Sequence, residues 1–234
     1  MSYFITGTDT GVGKTLVSCA LLQAFAARGK HVVGMKPVAA GCGEDEQHED
    51  VRHLRAAGNV QAARGQINQY CFQRAVAPHL AAQFVGVAID FGRIATSLAE
   101  LESVADVVIV EGAGGFRVPL NTKQDSADLQ VELGLPIILV VGMRLGCLNH
   151  ALLTVEAIMA RGLTLAGWVA NRVDADMAMP QENIAALRQR IAAPLLGVIP
   201  YLAQPDAGAA AVHLDVGLLA SERDKSEVSG DLAE

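Results

Sequence analysis

Two kinds of apolar segment alternate along the chain. Short runs rich in Val, Ile and Leu, too brief for helices, occur at Tyr3 to Thr6, His31 to Met35, Asp106 to Val110, Pro136 to Val141, Leu165 to Ala170 and Leu195 to Ile199. Each reads as a strand buried on both faces. Between them, Thr15 to Arg28, Phe91 to Leu101, Leu148 to Arg161 and Pro180 to Ile191 carry Ala and Leu at helical spacing. The alternation predicts a single α/β domain, with a mostly parallel sheet of about seven strands, helices on both faces and right-handed crossovers. Ligands of such sheets gather at the carboxyl ends of the strands, so the residues just after each strand are the candidates for chemistry. No internal repeat or linker-like break interrupts residues 1–220, and the charged tail 221–234, SERDKSEVSGDLAE, predicts a disordered acidic end.

Composition narrows the function. With 51% hydrophobic residues, 18% charged and only 4% aromatic, the 234-residue chain builds an aliphatic core and is not disordered as a whole. Lys+Arg 18 against Asp+Glu 25 leaves a net charge of −7, so no global positive field favours nucleic acid. No apolar stretch has a membrane span's length, and the start MSYFITGTD lacks the basic-then-apolar order of a secretory signal; a cytoplasmic enzyme is expected. Cys19, Cys42, Cys71 and Cys147 are scattered with no CxxC pair, which predicts reduced thiols rather than a disulfide framework or a structural zinc.

The first predicted strand runs into GTDTGVGKT, Gly7 to Thr15, and then directly into a predicted helix. Strand, glycine loop and helix in that order form a phosphate cradle. Backbone N–H groups, including those of Gly11, Val12 and Gly13, surround phosphate oxygens, Lys14 reaches the terminal phosphates and Thr15 ligates Mg²⁺. Five residues separate Gly7 from Gly13, one more than in GxxxxGK[ST]. The expected fold is therefore P-loop NTPase-like, with a nucleoside triphosphate as ligand. Partitioning and septum-positioning ATPases, an alternative reading as dimerising switches, carry a second lysine where this chain has Asp9, which weighs against them.

Three further positions stand at predicted strand ends or helix starts. Lys36 follows the second strand and precedes Pro37, so it projects into the site, although a lysine there can also snorkel into solvent. Glu111 ends VVIV, where an acidic residue holds Mg²⁺ directly or through water, or else bonds turn N–H groups; Gly112, Gly114 and Gly115 then let the loop approach a small substrate. Asp50, last in GEDEQHED, reads most simply as the N-cap of VRHLRAAG, and its acidic surroundings would also suit a divalent cation.

Taken in order, GTDTGVGKT, MKPVAAG, VVIVEGAGG, VVGMRLGCLNHALLT, LAGWVANRV and APLLGVIPYL resemble the dethiobiotin synthetase family from about Tyr3 to Leu202. The lengthened phosphate loop is that family's own form, and LGCLNHALLT is its most specific signature. The resemblance implies an ATP- and Mg²⁺-dependent ligase that closes a ureido ring on 7,8-diaminopelargonate with CO₂ and releases ADP and phosphate. It implies Lys36, Lys14 and Thr10 as catalytic residues and Thr15, Asp50 and Glu111 around the metal. Asn171, Arg172, Pro200, Tyr201 and Leu202 would lie near the base; the NxxD spacing of Asn171 to Asp174 leaves GTP use open. It also implies a homodimer in which Gly146, Cys147, Leu148 and Asn149 receive the substrate's distal carboxylate from the second subunit, with Gly114 and Ala40 on the substrate side. Arg144, just before this loop, adds charge at the interface or stays solvated. Ala40 stands where many members have Ser or Thr, and Gly11 where many have an acid.

Overall fold

The computed structural model describes residues 1–43 and 47–219. The first strand, β1 (Ser2–Gly7), passes through the glycine loop into α1 (Lys14–Ala26), and β2 (Val32–Met35) follows. Then come a short β3 (Val38–Ala40), α2 (Glu49–Ala57), the single turn α3 (Arg64–Ile67), β4 (Tyr70–Phe72), α4 (Pro78–Phe84) and α5 (Phe91–Glu102). The second half alternates β5 (Val107–Glu111), α6 (Ser126–Leu133), β6 (Ile137–Met143), α7 (Cys147–Ala160), β7 (Leu165–Arg172), α8 (Pro180–Arg188), β8 (Leu195–Ile199) and α9 (Ala207–Ala211).

All six predicted strands form one sheet in the order β2-β5-β1-β6-β7-β8, every pairing parallel. The expected count of about seven becomes six in this sheet, because β3 and β4 pair only with each other. Pro37 has no N–H to donate, so the chain leaves the sheet after Met35 and starts a separate ribbon.

Alternation along the strands assigns the helices to faces. On β5, Val107 and Ile109 point into a core shared with α1, α2 and α9, whereas Val108 and Val110 point into one shared with α4, α5 and α6. Beyond β6, the second face continues under α7 and α8 around the fully buried Trp168. A Cβ on Gly34 would lie 2.9 Å from Leu54 Cβ, so its missing side chain lets α2 settle onto β2. Leu54 itself is fully buried, which contributes roughly 1.5–3 kcal/mol. Asp90 caps α5 and Asp125 caps α6, each accepting bonds from two first-turn N–H groups.

Two expectations need correction. Asp50 is not an N-cap: α2 begins at Glu49, and the His48 Nδ1 accepts from Asp50 N at 3.1 Å. With the cap supplied by His48, the Asp50 carboxylate is free to turn toward the sheet. Cys42 and Cys71, expected as reduced thiols, form a disulfide with Cα atoms 6.0 Å apart. The β3–β4 register sets Ala39 opposite Cys71, and the N–H groups of Gly41 and Cys42 both donate to Phe72 O, which carries Cys42 alongside its partner from 29 residues away. Cys19 and Cys147 are free and buried. The acidic tail expected at 221–234 lies outside the described residues, as do Glu44, Asp45 and Glu46 of the acidic run. Among the described residues no helix is long and apolar enough to cross a membrane.

Candidate active site

The glycine loop lies at the carboxyl end of β1, near the middle of the sheet. Gly13 has φ 85°, a left-handed backbone, and a Cβ there would come within 2.2 Å of Asn171 Nδ2. Asn171, buried at the end of β7, donates that Nδ2 to Val12 O at 2.9 Å and so braces the loop from the neighbouring strand. The Lys14 Nζ donates to Asp9 O at 3.1 Å, folding the side chain back over the loop. Burial, and after it the Lys36 charge, pull the Lys14 pKa down to about 8 against the opposing pull of Glu111, Asp50 and Asp9.

Strand alternation explains how Lys36 and Glu111 meet. Gly34 pairs with Ile109 and Met35 with Val110, so the next residues of the two strands, Lys36 and Glu111, extend that register on the α1 side of the sheet. Their side chains, 5% and 1% exposed, bond with Nζ 2.6 Å from Oε1, and the same Nζ lies 2.8 Å from Asp50 Oδ2. Thr15 Oγ1 donates to Glu111 Oε1 at 2.8 Å. Burial alone would lower the Lys36 pKa, but Glu111 and Asp50 outweigh it and hold the ammonium charged, above the ordinary lysine value. Burial likewise works to raise Asp50, and Lys36 overrides it to keep that carboxyl below its ordinary value. The Lys36 backbone is fixed from outside the sheet: its N–H donates to Ile67 O at 2.8 Å and its carbonyl accepts from Asn68 Nδ2 at 2.6 Å.

Thr10, Gly11, Gly13, Lys14, Thr15, Lys36, Asp50, Glu111 and Gly114 all line one cavity of about 340 Å³. A second cavity, about 460 Å³, shares Gly13, Thr15 and Asp50 with it and runs along α1 past Leu16 and Gln23 to Pro205. The other expected positions line neither of these two cavities. Pro200, Tyr201 and Leu202 follow β8, with Tyr201 45% exposed and Leu202 packed on the α1 core. Arg172 is half-buried at the end of β7. Ala40 sits on β3 opposite Phe72, outside the smaller cavity's lining. Gly146 caps α7 and Cys147, Leu148 and Asn149 form its first turn, one residue earlier than the expected Leu148 start. Burial raises the Cys147 thiol pKa, which fits a packing residue and not a nucleophile.

Two relationships had no sequence signal. The lysine expected to face a substrate anion pairs with both candidate metal carboxylates, and Arg144 pairs its Nη2 with Asp9 Oδ2 of the phosphate loop at 2.5 Å rather than standing solvated. Lys36 meets Glu111, and Arg144 meets Asp9, from far along the chain because neighbouring strands end side by side, while Asp50 reaches Lys36 from α2.

Residues 1–208 match the family profile described as AAA domain. The chain is 56% identical over 214 residues to an ATP-dependent dethiobiotin synthetase of Nitrosospira multiformis, covering 92% of this chain and 94% of that protein. It is also 56% identical over 216 residues to the ATP-dependent dethiobiotin synthetase of Aromatoleum aromaticum, covering 91% and 96% respectively. Among solved structures it resembles the septum site-determining protein MinD of Pyrococcus horikoshii, with a TM-score of 0.55, 18% identity and coverage of 97% of this chain and 98% of that one. The signal recognition particle receptor FtsY of Elizabethkingia anophelis gives a TM-score of 0.54 at 16% identity, over 93% of this chain and 63% of that one. At such identities the two structures speak only for the P-loop fold.

Proposed function

The chain belongs to the ATP-dependent dethiobiotin synthetase family, and from that premise we propose that it closes the ureido ring of dethiobiotin from 7,8-diaminopelargonate, CO₂ and ATP. The observation that supports this reading best is the convergence of two lysines, two carboxylates and two threonines on the cavity beside the glycine loop. The triphosphate belongs against the loop amides and Lys14, and the resemblance puts the base near Asn171 and Arg172 at the end of β7 and the Pro200–Leu202 segment after β8, residues that line neither cavity.

The donor set fits Mg²⁺. Thr15 offers a hydroxyl and Asp50 and Glu111 offer carboxylates, all hard oxygen ligands, and Glu111 Oε2 is buried without a hydrogen-bond partner. When bound, the ion would neutralise charge developing on the transferring phosphoryl group. In this chemistry one substrate amine adds to CO₂ and loses a proton, giving a carbamate. Lys36 donates from Nζ to that anion, and the carboxylates around it keep the ammonium protonated for the purpose. A carbamate oxygen then attacks the γ-phosphorus and ADP leaves, with Lys14 and the Thr10–Gly13 amides compensating the charge. The second amine attacks the carbonyl carbon of the resulting carbamic-phosphoric anhydride, losing a proton and expelling phosphate. Holding both nitrogens in one geometry supplies much of the acceleration. Gly114 approaches the reacting end, and Ala40, without a hydroxyl, adds no hydrogen bond.

The distal carboxylate is held at the α7 N-terminus of a second copy, in a homodimer, by the segment Gly146, Cys147, Leu148 and Asn149, where the Cys147 N–H already donates to Arg144 O and the other first-turn N–H groups face the ligand. Supporting this arrangement, Leu145 just before α7 and Leu153 and Met159 on it are 96%, 56% and 63% exposed, large apolar side chains left to water. The enzyme would work in the cytoplasm, where its nucleotide is made. Purified protein given bicarbonate, Mg²⁺ and ATP should release ADP only when the diamine is present, and should yield dethiobiotin. Nucleotide binding without that product would sink the proposal, and parallel assays with GTP and CTP would define the base preference.

A further inference from the structure

We propose that Asp9 and Arg144 form a positioning pair that locks the phosphate loop to the start of α7 in the same subunit, so that each subunit's triphosphate site and the α7 N-terminus it offers to the partner's substrate carboxylate are held in one frame. The inference rests on the reading above. β1 and β6 are adjacent, with Gly7 opposite Val140 and Thr8 N donating to Val140 O at 3.0 Å, so the loop after β1 and the loop after β6 leave the sheet side by side. Asp9 uses every acceptor it has. Its Oδ1 takes Thr10 N–H at 2.7 Å, its Oδ2 takes Arg144 Nη2 at 2.5 Å, and its main-chain oxygen takes Lys14 Nζ at 3.1 Å. Arg144 is bound at its other end too, since its carbonyl accepts from Cys147 N at 3.0 Å in the turn that opens α7. A single ion pair thus connects Thr10 and Lys14 with the turn that precedes the Cys147–Asn149 amides.

Exposure and charge show what the pair does. The side chains are 47% and 39% exposed, and an ion pair so accessible contributes little to stability. Its effect is on orientation and on the local field. A bare Asp9 carboxylate in a phosphate loop repels the triphosphate, and Arg144 cancels it. A bare Arg144 beside the α7 N-terminus would compete with the backbone amides for anions, and Asp9 cancels that in turn.

These roles separate in kinetics. Arg144→Gln leaves the Asp9 charge facing the nucleotide, so the KM for ATP should rise by about tenfold, a rise that salt reduces, with kcat also lowered. Asp9→Asn removes the repulsion, so the KM for ATP should hold or fall, while kcat drops roughly tenfold because Thr10 and Lys14 lose their orientation. The double variant should recover ATP affinity without recovering kcat, its kcat no lower than that of the worse single variant, and Arg144→Lys should restore part of each. Thermal midpoints should stay near wild type. Direct titration with MgADP reads the charge effect without turnover, so it judges the pair even if wild type makes no dethiobiotin, a result that would count against the functional reading instead. Losses in kcat that simply multiply in the double variant, or wild-type kinetics in all four variants, would overturn the proposal.

Discussion

Lys36 and Glu111 stand at the ends of adjacent parallel strands with Nζ 2.6 Å from Oε1, and Asp50 closes on the same ammonium from α2 at 2.8 Å. One cation therefore pairs with two carboxylates that are candidates for a metal ion, leaving the cluster one negative charge. Lys36, which we propose as the reaction's anion binder, is thus in the resting protein also the counter-charge of the proposed metal ligands.

Removing that cation should separate the two roles. Lys36→Gln leaves Glu111 charged and buried, and breaking a buried pair from one side costs about 3–5 kcal/mol. We expect a clearly lowered thermal midpoint that MgADP restores more strongly than in wild type, together with near-complete loss of turnover and a modest loss of ATP affinity. Lys14→Gln should lose ATP binding and turnover together while melting near wild type. Equal loss of ATP binding in the two variants, read by calorimetry, would refute this division.

The Lys14 pKa near 8 makes nucleotide binding depend on pH. Phosphates favour the charged lysine, so affinity should be full below about pH 8 and decline as the pH rises through it, with a proton taken up on binding above that point. Calorimetry in buffers of different ionisation enthalpy measures the uptake directly. Stability carries the opposite sign. Between about 8 and the ordinary 10.5 the unfolded chain holds the extra proton, so this group's penalty on the fold shrinks as pH climbs through that window.

The Cys42–Cys71 bond spans 29 residues that include α2 and Asp50. Loop-closure entropy for a span of that size is about 3–4 kcal/mol at 25 °C. Reduction, or Cys71→Ser, should lower the denaturation midpoint accordingly. Thiol titration of the denatured, unreduced protein should find two free cysteines of the four, and finding four would show that the bond is not formed in the isolated protein.

The exposed side of α7 around Leu153 should carry the subunit contact. Leu153→Glu places a charge on that face without disturbing the buried Ala151 and Ile158, so the monomer should fold normally. Sedimentation should then show a shift toward monomer, and turnover should fall with it. A fully dimeric, fully active variant would remove this face from the interface.

Much of the site was legible because its residues are consecutive or sit at predictable ends. The glycine loop spells its own function through Gly13, Lys14 and Thr15, and VVIVE places Glu111 at a strand terminus by hydrophobic pattern alone. What could not be read was pairing. Asp50 looked like a cap because an acid before a helical run satisfies free N–H groups, and only the backbone path shows His48 in that role. Cys42 and Cys71 looked unrelated because β3 and β4 have three residues each, too few for a period to register.

The sequence by itself determined the alternation of strand and helix, the phosphate loop and the strand ends at which chemistry gathers, because these depend on the periodicity of side-chain burial and on backbone freedom within a few residues. Only the tertiary structure decided that β2 lies beside β5 and β6 beside β1, and hence that Lys36 meets Glu111 and Arg144 meets Asp9. Strand order and register are settled by packing among elements remote in the chain, and an ion pair 75 or 135 residues apart exists only once that packing has been made.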